Sequence, residues 1–204
     1  MTTRTLHRLA GLIMVLPFLA WATTGFIFFV KPGYQGAYEQ LQAKTYPLGD
    51  QAAVVTPVSD WLEFRQMRTT LGQHLLVRTS AGWQHLDPVT LKALPAPDAT
   101  GMKALLTDAF SANPVRYGQV STIDGTTATT TTGVRVSLSW TRMSLQQAGR
   151  DTDRIDRIYK IHYLQWTGIE TLDRALGMLG LVLIVLLSLI GVRLAFRPSS
   201  RPAR

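Results

Sequence analysis

The sequence predicts an α+β protein in which two transmembrane helices flank a central domain of antiparallel strands and short helices. Three observations support this class. Two long stretches near the ends of the chain are apolar and almost free of charge. Between them, some segments alternate apolar and polar residues, and others repeat apolar residues with the helical period. A soluble domain of 204 residues has no core that would bury both terminal stretches, so we expect a membrane around them.

The first transmembrane helix is predicted at residues 9–30, after a basic N-terminus at residues 1–8. The 22 residues from Leu9 to Val30 carry no charge and would rise about 33 Å as a helix, enough to cross the hydrocarbon layer. The tripeptide Ala20-Trp21-Ala22 resembles a signal-peptidase site. Cleavage there would leave the apolar segment from Thr23 to Val30 as a new N-terminus, so the uncleaved helix is the preferred interpretation.

The second transmembrane helix is predicted at residues 175–196, followed by a basic C-terminus at residues 197–204. Ala175 to Val192 is uncharged, and the helix reaches Phe196 if Arg193 extends its guanidinium to the headgroups.

The positive charge of the chain is concentrated beside these two helices. Of the 21 basic residues, six lie in flanks without acids, and the other 15 are nearly matched by the 13 acids of the central segment. Basic flanks stay in the cytoplasm. In a bacterial inner membrane this predicts that both termini lie on the cytoplasmic side and residues 31–174 in the periplasm. Because the central segment has no basic stripe, nucleic acid is not an expected partner. The lack of cysteine excludes disulfides and a lipoprotein anchor.

The first part of the central segment predicts a connector and two helices. Residues 31–51 mix Gly, Pro and Tyr, as a connector does. The stretch SDWLEFRQMR at residues 59–68 predicts a short amphipathic helix with Ser59 or Asp60 as its N-cap. A second helix is expected from Asp98 to Ala112, because its apolar residues fall on one helical face.

Between these helices the pattern predicts a β-hairpin. Its strands are expected at His74–Thr79 and Trp83–Leu86, with a further turn at Asp87-Pro88. A two-residue turn at Ala81-Gly82 would pair Arg78 with His85 and leave His74 well away from His85. A metal site formed by His74, His85 and Asp87 is therefore not favoured.

The last part of the central segment predicts strands and then a helix. Residues 134–140 alternate apolar and polar side chains, as in a half-buried antiparallel strand. The threonine run at residues 126–132 suits an exposed strand, after a turn at Asp124-Gly125. A juxtamembrane helix is expected from about residue 151, with Ile155 and His162 on one face.

Four stretches of the chain together resemble the PepSY-associated transmembrane proteins. They are LHRLAG before a span that carries Pro17 and ends near Thr24-Gly25, GWQHLDPVT in the hairpin, DRIYKIHYLQWTG, and LDRALGMLGLVLIVLLSLIGV. The resemblance covers nearly the whole chain in order. It implies a periplasmic PepSY-like module between membrane helices, and larger relatives with four or more spans include inner-membrane reductases that carry haem b and reduce siderophore-bound iron.

The chain also departs from that family. It has only two spans, Leu91 stands where glycine is usual after DPVT, and Leu189–Gly191 replaces the usual Thr-Gly of the later span. The resemblance therefore leaves open whether the chain is an enzyme. If it is, the resemblance implies a haem-dependent component of a ferric-siderophore reductase.

His7 and His162 match the family motifs, and the resemblance implies that both bind haem iron. They are expected at opposite ends of the membrane region, about 30 Å apart, so one chain cannot hold one haem between them. Met14 and Met178 are not placed to supply the missing ligand. A twofold homodimer would pair two His7 and two His162 side chains, and each pair could hold one haem b. A larger membrane partner is the other source of ligands.

Other interpretations of these residues stay open. His7 and His162 also suit interfacial positions beside Arg8 and Trp166, without any ligand. The chain could then be a non-enzymatic, membrane-tethered PepSY module that binds or restrains a periplasmic protein, or a scaffold for a transporter. No Ser-His-Asp order, zinc signature or phosphate-binding glycine loop is present in the sequence.

Overall fold

The computed structural model describes residues 3–49 and 53–196. The described residues form two compact units, one from residues 3–33 and 154–196 and the other from residues 34–49 and 53–153. The predicted α+β class is confirmed: two long apolar helices lie near the chain ends, and two small antiparallel sheets are formed by the residues between them. The predicted cytoplasmic C-terminus at residues 197–204 lies outside the described residues.

The elements follow one another along the chain as helices at both ends and strands in between. In order they are α1 (Thr3–Val30), α2 (Tyr34–Ala37), β1 (Glu63–Thr69), β2 (Gly72–Thr79), β3 (Gly82–Leu86), α3 (Ala99–Phe110), α4 (Pro114–Tyr117), β4 (Val120–Asp124), β5 (Thr127–Thr130), β6 (Arg135–Ser139), a 3-10 turn (Trp140–Arg142), β7 (Ser144–Ala148), α5 (Arg150–His162) and α6 (Glu170–Ala195).

The helical unit consists of α1, α6 and the last turns of α5. Both α1 and α6 are long and apolar enough to span a membrane, and very little of either apolar stretch is buried within the protein. The two helices pack against each other. Each begins before the uncharged run that predicts it: α1 at Thr3 rather than Leu9, and α6 at Glu170 rather than Ala175. Helical hydrogen bonding continues through the polar flanks, which hydropathy alone does not reveal.

Strands β1, β2 and β3 form an antiparallel three-stranded sheet in that order. The predicted helix at residues 59–68 is wrong, because Glu63–Thr69 is strand β1. Each of its residues has a partner on β2, from Glu63 opposite Arg78 to Thr69 opposite Gly72. The helix prediction rested on the N-cap at Ser59 or Asp60 and on a short amphipathic pattern, and seven paired positions with β2 outweigh it.

Strands β4 to β7 form an antiparallel four-stranded sheet in sequence order. The predicted alternation in β6 is confirmed, because Val136 and Leu138 are buried while Arg135 and Ser137 are exposed. The prediction of an exposed threonine strand is only half right. Successive side chains of β5 point to opposite faces of the sheet, so every second residue faces the core and Thr130 is 3% exposed.

The core of the second unit lies between helix α3 and the sheets. α3 buries the predicted apolar face of Met102, Leu105, Leu106, Ala109 and Phe110. Its N-cap is Asp98, whose carboxylate accepts a 2.8 Å hydrogen bond from the Gly101 N–H. Each fully buried Leu or Phe contributes about 1.5–3 kcal/mol, so this face accounts for much of the stability of the unit.

Candidate functional site

His162 is the last residue of α5, and its half-buried imidazole lies against α1. Nδ1 is 2.8 Å from Oγ1 of Thr24. Ring centroids of Trp21 and Phe28 are 5.8 and 4.9 Å from that of His162, and the Tyr163 ring is 5.3 Å away. Within the described residues, Nε2 of His162 has no hydrogen-bond partner. One imidazole nitrogen is therefore held by the protein, and the other is available to a ligand.

His7 lies in α1 against α6. An ideal Cβ built on Gly191 would be 3.5 Å from Cε1 of the imidazole, an ordinary contact distance, so the ring packs directly against this glycine. Nδ1 of His7 is buried and has no hydrogen-bond partner among the residues that the structure describes. A buried polar atom without a partner is rare and is often found where a ligand or water belongs.

The two predicted ligands are not brought together. Thr24, which contacts His162, follows His7 by 17 positions on one helix, a rise of about 25 Å. The two methionines considered as ligands differ in exposure: Met14 is buried, and Met178 is 64% exposed. Across the described ranges, no group of three or more His, Asp or Glu side chains could hold a metal ion. One chain thus offers one histidine at each of two separate places.

The sequence prediction was wrong about the other two histidines, which are in contact. Nδ1 of His74 is 3.0 Å from Nε2 of His85, and both side chains are buried. The hairpin turn lies one residue earlier than expected, because Thr79 pairs with Gly82 and Leu76 with His85. This shifts the register by two residues. A shift of two residues leaves both imidazoles on the same face of the sheet as before, and His74 becomes a diagonal neighbour of His85.

The hydrogen bonds of this histidine pair have a single consistent direction when both rings are neutral. Nδ1 of His85 donates to the backbone carbonyl of Trp140 at 2.8 Å, so its Nε2 accepts from Nδ1–H of His74. Nε2 of His74 then accepts from the Thr69 hydroxyl, also at 2.8 Å. All four ring nitrogens have a partner, which leaves none for a metal. The pair joins β2 and β3 to the 3-10 turn after β6.

Burial keeps this pair neutral. Desolvation, reinforced by the neighbouring His85, lowers the pKa of His74 to about 4. Desolvation also lowers the pKa of His85, although its hydrogen bond to the Trp140 carbonyl acts in the opposite direction. The Trp140 indole lies over the His85 ring at 4.1 Å between centroids and donates its own N–H to the Leu94 carbonyl. The pair is therefore a structural junction.

A second polar cluster centres on Arg116. Its guanidinium donates to Asp151 at 2.7 Å and to Gln147 at 2.6 Å. The hydrogen bond from Arg116 lowers the pKa of the Asp151 carboxyl. Side chains at Gly36 or Gly149 would place a Cβ 2.8 Å from this ion pair, so two glycines make room for it. The two terminal nitrogens of the guanidinium have partners and tie α4 to β7 and the first turn of α5, whereas the buried Nε of Arg116 has none among the described residues.

The helical unit also contains a cavity of about 640 Å³ at the start of α6. Its polar wall includes Lys160, Tyr163 and Arg174, and its apolar wall includes Gly177 and Leu181. His162 does not contribute to this lining. Glu170 and Asp173 line the same wall, so the rim carries charges of both signs. A cavity with a charged rim and an apolar floor can accept an amphipathic molecule.

No family model, curated protein or solved structure matches this chain. The PepSY resemblance therefore rests on the quoted motifs and stays a prediction. The same applies to haem, to the two histidine ligands and to iron chemistry.

Sequence reasoning did not indicate that Thr24 contacts a histidine. In the sequence Thr24 belongs to the Thr24-Gly25 pair of the first span, whereas the structure places its hydroxyl 2.8 Å from Nδ1 of His162. A signal was available, because a polar residue inside an apolar span is uncommon and often functional. The neighbouring Thr23 shows why that signal is insufficient, since it is exposed on the outer surface of α1.

Proposed function

We propose that this chain is a haem-b-binding subunit of a bacterial inner-membrane electron-transfer system, in which His7 and His162 would hold the haem iron. The PepSY resemblance suggests ferric-siderophore reduction or iron acquisition as its role. The observation that supports the proposal most directly is the state of His162: its Nδ1 is occupied by Thr24, and its Nε2 has no partner among the described residues. Axial histidines bind haem iron through a free ring nitrogen.

Both histidines fit such a group in chemical terms. His162 offers Nε2 beside a wall of Trp21 and Phe28, and His7 offers a buried nitrogen without a partner. When bound, haem b would supply one-electron transfer between ferric and ferrous iron. The protein would hold the imidazoles, exclude water with aromatic side chains and pack the His7 ring against Gly191.

A second chain is needed to complete each ligand pair. About 25 Å of helix separates His7 from the residue that contacts His162, so one chain cannot place both on one iron. A twofold axis parallel to the helices would bring two His7 together and, separately, two His162. We propose a homodimer with one haem near each end of its helices; the alternative source of ligands is a larger membrane partner.

The proposed location follows from the charged flanks. Both termini would lie in the cytoplasm and residues 31–174 in the periplasm, where they would form a PepSY-like domain. Electrons would then pass between the two faces of the inner membrane. The cavity beside Lys160 and Arg174 would accept membrane lipid.

The proposal predicts a haem stoichiometry that can be measured. The full chain should be produced with ample haem, purified in mild detergent and analysed by reduced-minus-oxidised spectra and a pyridine haemochrome assay. We expect about one haem b per chain, because a dimer would have two sites. His7→Ala and His162→Ala should each reduce this to about half, because each removes one site.

Exposed neighbours provide matched controls. Leu6 is next to His7 in the sequence, and Gln165 is close to His162. The side chains of Leu6 and Gln165 are exposed, so neither Leu6→Ala nor Gln165→Ala should alter the haem content. A wild-type chain without a b-type spectrum would reject the haem proposal. The tethered PepSY module that binds or restrains a periplasmic protein would then be the better account.

A further inference from the structure

We propose that Thr24 is a positioning residue that fixes the tautomer of His162, so that the lone pair of Nε2 is free for a ligand. The inference rests on the proposed function only in naming haem iron as that ligand. The tautomer itself is a property of the haem-free chain and can be tested there.

The hydroxyl hydrogen of Thr24 is already used within α1. Oγ1 is 2.7 Å from the carbonyl oxygen of Ala20 and 3.1 Å from that of Trp21. A carbonyl can only accept a hydrogen bond, so the single hydroxyl hydrogen points to the backbone. The side of Oγ1 that faces His162 is therefore an acceptor.

His162 must then be the donor of the 2.8 Å hydrogen bond, through Nδ1–H. A neutral imidazole has one N–H, which leaves Nε2 with a lone pair. This is the arrangement that fixes a histidine ligand in metalloproteins, where the second nitrogen donates to a neighbouring acceptor. Here the acceptor is a threonine from a helix 138 residues away in sequence.

The surroundings strengthen this hydrogen bond. Thr24 is 5% exposed, so water cannot readily replace either partner. Trp21, Thr24 and Phe28 are spaced by three and four residues and share one face of α1. The two rings lie beside the imidazole and limit its rotation. The hydroxyl thus sets the tautomer, and the aromatic side chains restrict the plane of the ring.

The test uses three substitutions in the full chain. Thr24→Val keeps the shape of the side chain and removes the hydroxyl, whereas Thr24→Ser keeps the hydroxyl. Thr23→Val is the matched control, because it makes the same change at an exposed neighbouring position. Each protein is labelled with ¹⁵N-histidine in detergent without haem, and the His162 signals are assigned by their loss in His162→Gln.

We expect the wild-type ¹⁵N spectrum of His162 to show Nδ1–H and an unprotonated Nε2. Thr24→Val should give a mixture of tautomers, while Thr24→Ser and Thr23→Val should retain the wild-type pattern. Haem titration, followed by absorbance, should show about 10- to 100-fold weaker binding at the His162 site in Thr24→Val, the usual effect of losing such a partner. Thr24→Ser should restore most of that affinity.

A wild-type spectrum with Nε2–H, or a Thr24→Val spectrum identical to wild type, would overturn the inference whether or not haem binds. If the tautomers behave as expected and the wild-type chain binds no haem, the role of Thr24 stands and the proposed function fails. The spectra and the titration therefore test the two proposals separately.

Discussion

Acid should destabilise the sheet-containing unit through the buried pair His74 and His85, well above the pH at which carboxylates titrate. In the unfolded chain each imidazole binds a proton below its ordinary pKa of 6.5, but burial lowers the pKa of folded His74 to about 4. Between these values the unfolded state binds more protons. The free energy of unfolding is therefore largest above pH 6.5 and falls as the pH drops toward 4.

The size of this effect follows from the two pKa values of His74. One pKa unit corresponds to about 1.4 kcal/mol, so the shift from 6.5 to about 4 corresponds to a loss of about 3 kcal/mol. His85 adds to it in the same direction, because burial lowers its pKa as well. A typical domain has only about 5–15 kcal/mol of stability, so the loss should be readily measurable.

The assay is urea unfolding of the full chain in detergent between pH 7 and pH 4.5. Tryptophan fluorescence is a suitable signal because Trp140 packs on the His85 ring. The matched variant is His74→Gln, which keeps a polar side chain but cannot titrate. It should be less stable than wild type at pH 7, and its stability should fall less steeply with acid.

Equal slopes for His74→Gln and wild type would refute this reasoning. The range above pH 4.5 also separates the histidines from Asp151. The Arg116 hydrogen bond lowers the pKa of Asp151, so its contribution is lost only as the pH falls further.

Three further substitutions test other parts of the structure. Arg116→Met should lower the free energy of urea unfolding by about 2 kcal/mol, because Asp151 and Gln147 lose their partly buried donor; an unchanged midpoint would contradict this. Asp98→Ala should lower it by about 1 kcal/mol through loss of the α3 N-cap, with Asp98→Asn close to wild type in the same assay. Gly191→Leu should displace His7 and reduce the haem content by about half. Gly191→Ala should leave the haem content unchanged, because a Cβ there makes only ordinary contact with the imidazole. A haem content of Gly191→Leu equal to that of wild type would argue against a site at His7.

The sequence by itself determined the elements whose signal is local. An uncharged run longer than a bilayer is thick predicts each terminal helix, whatever the rest of the chain does. The alternation of Val136 and Leu138 with polar residues predicts β6, and the helical spacing of α3 predicts its buried face. In each case the side chains that carry the pattern belong to the element itself.

Only the tertiary structure decided which distant side chains meet. β1 is a strand because β2 pairs with it, although its own residues suggested a helix. A turn one residue earlier than expected shifted the hairpin register by two residues and placed His74 against His85. Thr24 and His162 meet across 138 residues of sequence. Local periodicity fixes which face of an element is apolar, but it carries no information about register or about the neighbour across that face; packing of the whole chain supplies both.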